Sequence, residues 1–320
     1  MAVLAVSVIL FAASQAFCLD CPSLRLLPGA RMGEIRAEGL VRAGRPREGT
    51  NRRDRLRGLL SRPAASATVV VSVGSFTRSV SLDERGGFGI EFPIPVGMEA
   101  IPLSVTDPDG GVLLRRIEQP LPASPSLLVV SDIDDTVLVS EVPAKRKLLV
   151  NSLLRTLKGR QTVPGVQNIY EEIYNSQGRD AFFTYLSASP AAMERFIAGF
   201  LADRHFPRGL LITGDGVSFT KQKTFEHKTG WLERLARVFP GTPMLLIGDA
   251  GEQDPEIYSG FASQKTAHIA GIVIRRIGRF DRTRETRVRE RCAAVGVPLL
   301  IWSEPDEFRT GLATMGVKIP

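Results

Sequence analysis

Cysteine is scarce, with three in 320 residues. The only close pair, Cys18-Leu-Asp-Cys21, lacks the second Cys-x-x-Cys that a zinc site needs. No internal repeat or long low-complexity tract breaks the chain. A membrane-spanning helix needs about 20 apolar residues, and the N-terminal run over 2–13, AVLAVSVILFAA, falls short of that. A calcium loop is excluded as well. Its sixth and twelfth positions require Gly and Glu, and counting from Asp132 those places hold Val137 and Pro143.

What is present begins with the same N-terminal run. Small residues at Ser14 and Ala16 suit signal-peptidase cleavage after Ala16, so residues 1–16 are expected to be an export signal. A positive start to that segment is missing, and an uncleaved anchor is the alternative. Export would place the protein in the periplasm or outside the cell and would allow Cys18 and Cys21 to form a local disulfide. Cys292 is then an ordinary buried thiol. The net charge of +7 comes mainly from arginine and favours anionic partners such as lipid headgroups, although an Arg-rich coding background gives the same number.

Residues 24–120 have the texture of a small antiparallel sandwich. Short β-branched runs, among them Thr68-Val-Val-Val-Ser-Val73, Thr77–Leu82, Phe88–Phe92, Ile101–Thr106 and Gly111–Arg116, are separated by Gly and Pro turns. The first strand is expected at 33–41, and residues 42–62 form an Arg-rich loop. Nothing in this part has catalytic spacing. The segment 118–126, EQPLPASPS, has three prolines in nine residues and reads as a linker.

From 126 to 320 apolar runs alternate with helical stretches, the pattern of a parallel sheet with crossover helices. Runs at 127–131, 181–186, 209–213, 244–248, 269–275 and 298–302 are the expected strands, with helices over 164–176, 190–203, 228–238, 254–262 and 282–295. In LLVVSDIDDT, Leu127 to Thr136, a buried strand runs into Asp132 and Asp134, where open α/β sheets bind ligands. Ser187 follows the second run, with Ser189 as the expected N-cap and Pro190 as the first helical residue. Lys228 is expected to open a helix. The fourth run ends in Gly248-Asp249-Ala-Gly-Glu-Gln-Asp254, and carboxylates buried face to face need a cation between them.

SDIDDT, YLSASP, His227-Lys228 and IGDAGEQDPEIY together resemble the four motifs of the haloacid-dehalogenase phosphatase superfamily. They are most similar to the Mg-dependent phosphatidate phosphatase domain of the actin-patch protein type, exported bacterial members included. The resemblance spans roughly 126–303 and includes Val163-Pro-Gly165, Ile169-Tyr170 and Ile272–Arg275; Ala250 stands where that family is expected to have Ser. It implies an α/β fold with a haloacid-dehalogenase-like Rossmannoid parallel sheet, preceded here by the all-β part. It also implies a phosphatase with Asp132 as nucleophile, Asp134 as general acid and base, and Ser187 and Lys228 on the phosphoryl oxygens. Mg²⁺ would bind Asp132, the Asp134 carbonyl and Asp249, with Thr136 and Asp254 supporting from behind.

The gaps of 50 residues between Thr136 and Ser187 and 40 between Ser187 and Lys228 leave room only for small cap insertions. An open site suits a phosphorylated lipid or membrane surface, and nucleic acid is not expected as a partner. The basic amphipathic stretch 144–160, AKRKLLVNSLLRTLKGR, could lie on such a surface or pack as an ordinary helix. A second basic run, Arg275–Arg291, could also face headgroups. Phosphatidate is the expected substrate. A phosphoprotein, nucleotide or sugar phosphate, transfer to an acceptor other than water, and a non-catalytic surface-binding role are the alternatives.

Overall fold

The computed structural model describes residues 19–319 apart from 32, 44–60, 96–97, 99, 110, 123, 139–160, 215–219 and 279. The first part of the chain supplies strands β1 (Leu19–Pro28), β2 (Glu34–Ala43), β3 (Arg62–Pro63), β4 (Thr68–Val73), β5 (Phe76–Ser81), β6 (Gly87–Pro93), β7 (Ile101–Thr106) and β8 (Leu113–Gln119). They form two antiparallel sheets. One has the order β1-β2-β3 with β6 also on β2, and the other has the order β5-β4-β7-β8. Alternation sends Val69, Val71, Val73, Leu103 and Val105 inward from one sheet, where they meet Leu24, Leu26, Ile35 and Ala37 of the other in a single apolar cluster. Period-2 burial of this kind is what a sandwich requires.

The rest alternates strand and helix: β9 (Leu127–Ser131), α1 (Val166–Ser176), β10 (Ala181–Pro190), α2 (Glu194–Asp203), β11 (Gly209–Gly214), α3 (Lys221–Val238), β12 (Met244–Asp249), α4 (Asp254–Ser263), β13 (Ile269–Arg275), α5 (Arg282–Ala294), β14 (Leu299–Trp302) and α6 (Pro305–Thr314). The six strands form one sheet in the order β11-β10-β9-β12-β13-β14, and every pairing in it is parallel. Ile169, Tyr170, Phe200, Phe308 and Leu312 from α1, α2 and α6 cover one face. Leu232, Leu235, Ile257, Phe261 and Val288 from α3, α4 and α5 cover the other. With both faces covered, all five residues of β9 are buried, which is why its sequence is a continuous apolar run. Strand order departs in opposite directions from β9, so the carboxyl ends of β9 and β12 flank a topological switch point.

Several expectations are corrected. The first strand is β1, ahead of 33–41. Its two prolines and cysteine disguise it, and its side chains divide between two cores, Leu24 and Leu26 into the sandwich and Leu27 against the parallel sheet. Glu118 and Gln119 belong to β8 rather than to a linker. Gln119 is buried, accepts from Leu26 N at 3.0 Å and donates to Leu26 O at 2.6 Å. Ser189 is no N-cap. β10 runs on to Pro190, a 3₁₀ turn over Ala191–Met193 follows, and α2 starts at Glu194 with Met193 before it. The pairing of Pro190 with Gly214 keeps the backbone extended.

α3 begins seven residues before Lys228, because Thr220 caps it by accepting from Lys223 N. α6 was not anticipated. Cys21 is a free thiol that donates to Ser23 O, and burial pushes its pKa up to about 12. Its suggested partner Cys18, the signal segment 1–16, most of the Arg-rich loop and the basic stretch 144–160 lie outside the described residues, so the cap reading rests on sequence alone. No helix among the described residues is long and apolar enough to cross a membrane.

Candidate active site

Strand ends deliver the acidic residues. Asp132 follows β9, and its N–H donates to Ile247 O of β12 at 2.8 Å, which locks the two strand ends together. Asp249 closes β12, and its Oδ1 accepts from Gly251 N at 2.6 Å and Glu252 N at 3.0 Å. These bonds fold the next residues into a tight turn that brings back Asp254 at the head of α4. Asp254 Oδ2 accepts from Asp249 N at 3.4 Å. One ligand oxygen from each of Asp132, Asp249 and Asp254 lies within 4.8 Å of the others, and all three residues are buried.

Lys228 enters this group from the interior of α3. Its ammonium is fully buried, donating to Asp132 Oδ1 at 2.7 Å and Asp254 Oδ1 at 2.5 Å, with Glu252 Oε2 at 3.9 Å. One ammonium faces four carboxylates, so negative charge is in surplus. Burial raises the Asp132 carboxyl well above the ordinary range, the lysine opposes it, and Asp254, Glu252 and Asp249 add to the rise. Asp249 is raised by burial and then by Asp254 and Glu252. Asp254 is raised by burial, against Lys228. For the lysine, burial acts downward, but Asp132 and Asp254 outweigh it and hold the ammonium well above its usual pKa.

These residues fit a hard cation. Asp132 Oδ2 and Asp249 Oδ2 are buried and have no hydrogen-bond partner among the described residues. Unpartnered carboxylate oxygens are costly in a protein interior, and an ion with an oxygen shell would satisfy both.

The remaining expected residues divide. Ser187 is fully buried; its Oγ accepts from Ser189 N at 3.0 Å, and His227 Nε2 donates to its carbonyl at 3.2 Å. The histidine beside Lys228 therefore ties α3 to the end of β10. Asp134 is buried and accepts from Ser189 Oγ at 3.5 Å, which joins the loop after β9 to the end of β10. Thr136, expected to support the site from behind, has its Oγ1 buried with no partner among the described residues. The backbone holds this turn, with Val137 N and Leu138 N both donating to Ile133 O.

Residues to which sequence reasoning assigned another role, or none, hold the loops. Arg275 donates to Asp135 O at 2.7 Å, supporting a left-handed residue with φ 57°. Arg284 donates to Ala250 O at 2.6 Å and to Glu252 O and pairs with Glu256. Arg276 and Arg289 both pair with Glu285, so much of the run expected to face headgroups has partners within the protein. Ser131 Oγ and Tyr170 Oη lie 2.6 Å apart beneath the loop after β9. A polar residue ending an otherwise apolar strand was the signal available for Ser131.

Residues 127–276 match the family model for the catalytic domain of phosphatidate phosphatase APP1. Over those residues the chain is similar to that family. The APP1-type domain is a phosphatase domain, and it takes in Asp132, Asp134, Ser187, Lys228, Asp249 and Asp254. Phosphatidate phosphatase APP1 of Saccharomyces cerevisiae is 26% identical over 151 residues, 46% of this chain and 25% of that protein. An uncharacterized protein of Schizosaccharomyces pombe is 28% identical over 210 residues, 62% of this chain and 34% of that one. The chain thus spans between 25% and 34% of the length of these curated relatives. Among solved structures, a carbohydrate acetylesterase from Xanthomonas citri aligns with 90% of this chain and 72% of its own at 11% identity and a TM-score of 0.37, a likeness that bears on neither fold nor activity.

Proposed function

We propose that this chain is a Mg²⁺-dependent phosphomonoesterase acting on a lipid phosphate, in the first instance phosphatidate, giving diacylglycerol and phosphate. Its α/β part is on this proposal a haloacid-dehalogenase-like Rossmannoid unit with small cap insertions, working at a membrane surface. The observation that carries the proposal is the buried group in which Asp132, with one oxygen on Lys228 and the other unpartnered, faces Asp249 and Asp254.

Asp132 attacks phosphorus, and the bond from phosphorus to the lipid oxygen breaks to leave an aspartyl-phosphate. Asp134 gives its proton to the departing oxygen, then takes one from the water that hydrolyses the acyl phosphate. The Lys228 ammonium, already fixed against the nucleophile, balances charge on the transferred group, and Ser187 lines the same strand end. Preorganised charge of this kind supplies most of the catalysis in phosphoryl transfer. Mg²⁺, held by Asp132, the Asp134 main-chain carbonyl and Asp249, would neutralise phosphoryl oxygens.

Phosphate release from purified protein, with and without Mg²⁺, over lipid and soluble phosphomonoesters tests the proposal. Asp132→Asn should lower turnover by on the order of 10⁴-fold or more while leaving the melting temperature near that of the parent. Substantial Mg²⁺-dependent activity in that variant would overturn the aspartyl-phosphate step, and faster release from a soluble phosphate than from phosphatidate would overturn the lipid assignment.

A further inference from the structure

Away from the carboxylate group, the sandwich has a second polar feature. A cleft of about 520 Å³ opens beside β2 and the turn from β5 to β6, with Arg25, Arg36, Arg42 and Arg85 in its walls and two carboxylates, Glu38 and Asp83. That volume is in the range of ordinary small-molecule sites.

The carboxylates are already supplied with donors. Glu38 is paired with both Arg36 and Arg234. Asp83 Oδ1 accepts from Arg85 N at 2.8 Å and Gly87 N at 2.7 Å. Among the cations, Arg36 donates to both Glu38 and Glu91, whereas Arg25 and Arg85 are less fully matched. Arg25 Nε is buried and donates no hydrogen bond among the described residues; its nearest carboxylate oxygen, on Glu38, stands 3.7 Å away. The exposed Arg85 guanidinium makes no ion pair among the described residues.

The walls are also held in place before any ligand arrives. A Cβ on Gly89 would lie 2.1 Å from Arg36 Nη2, so the missing side chain makes room for that guanidinium. The carbons of the Arg25 and Arg234 guanidiniums lie 4.8 and 4.7 Å from the Trp231 ring centroid. Planar guanidiniums fixed by stacking and pairing lose little freedom on binding a phosphate oxygen fork.

We infer that this cleft is an anion-binding site for a phosphomonoester or diphosphate group, separate from the phosphatase site. The same chemistry would serve a soluble phosphorylated molecule or a lipid headgroup. Trp231 lies on the helix that carries Lys228 and beneath Arg25, so its emission gives a local readout of occupancy.

Inorganic pyrophosphate is titrated into the full chain in excess EDTA, following heat and tryptophan emission. Without a metal, the surplus of carboxylates around Lys228 repels anions from the phosphatase site, so the signal comes from elsewhere. Arg85→Gln, at an exposed position that leaves the fold unchanged, and Arg25→Gln should each weaken binding about tenfold or more, and raised salt should weaken it in the parent protein. If Arg25→Gln does not fold, Arg85→Gln decides alone.

Sedimentation with phosphatidylcholine vesicles, with and without phosphatidate, separates the sources. Loss of vesicle binding in Arg85→Gln assigns a headgroup, and loss of pyrophosphate binding alone assigns a soluble ligand. Absence of binding to either probe, or binding that Arg85→Gln leaves unchanged, overturns the inference. Hydrolysis of a small soluble phosphomonoester should be unaffected by Arg85→Gln. Since the titration does not read turnover, failure of the phosphatase assignment would be seen separately.

Discussion

Replacing Lys228 with Met tests how the carboxylate group is held. The ammonium is fully buried between Asp132 and Asp254, and the substitution leaves those carboxylates facing each other and Asp249 with nothing between them. Removing one partner of a buried ion pair costs about 3–5 kcal/mol. At about 2–4 °C per kcal/mol for a chain of this class, the melting temperature should fall by about 6–20 °C. Asp132 and Asp249 have folded pKa values raised above the usual 3.8, so their ionisation in the fold lowers stability as pH rises past the unfolded value. Loss of the lysine enlarges that rise. The penalty of Lys228→Met should therefore be smallest at acid pH and grow toward neutrality. Calorimetric melts of both proteins in EDTA across that range measure it. A neutral-pH loss below about 1 kcal/mol, or a penalty that grows on acidification, would refute the charge argument.

Mg²⁺ should raise the melting temperature of the parent protein, by about 2.7 kcal/mol of stabilisation at a hundred times its dissociation constant. The effect should be greater at neutral than at acid pH, because protonated carboxyls bind no cation; Asp249→Asn should abolish most of it. Glu194→Ala should cost about 3–5 kcal/mol, read as a lowered urea midpoint. Glu194 is buried and accepts from Leu24 N, Arg115 and Thr213, and a double-mutant cycle with Arg115→Met should show strong coupling. Burial alone would raise the Glu38 carboxyl, but hydrogen bonds from Arg234 and Arg36 outweigh it and hold it below 4.5. Its contribution is therefore present above that value and lost as pH falls through the lower folded one, and Glu38→Gln should flatten this acid limb of the stability curve.

The parallel sheet was legible because each of its strands is apolar on both sides, a pattern that needs no partner to be recognised. Runs at 127–131, 244–248 and 269–275 fall on strands within a residue or so. The sandwich was legible where alternation is clean, as in Thr68–Val73, and failed at β1. In LDCPSLRLLP alternation is hidden because both kinds of side chain are buried, some in the sandwich and some against the sheet. What makes β1 a strand is the far side of its environment, and no local window contains that. The same holds for α2. Ser189-Pro190 has the composition of a helix start, but pairing with β11 keeps it extended, and tertiary hydrogen bonding overrides the local preference.

At the site, acidic residues at strand ends announced themselves, since charge rarely follows a buried strand without a use. The partners that hold them did not. Within HKTGWLERL nothing local marks Lys228, which only the resemblance singled out, and the register of α3, set by Thr220 at its start, turns it inward to Asp132 and Asp254. Arg275 and Arg284 look like members of a solvated basic run, yet they donate to the carbonyls of Asp135, Ala250 and Glu252. Their side chains bridge loops far apart in sequence, and spacing carries no information about such pairs. The carboxylates state which chemistry is available. Whether they stand close enough to share one cation depends on these bridging cations, so the reactivity of Asp132 should respond to changes at Arg275 and Arg284 even though neither is placed against the phosphate.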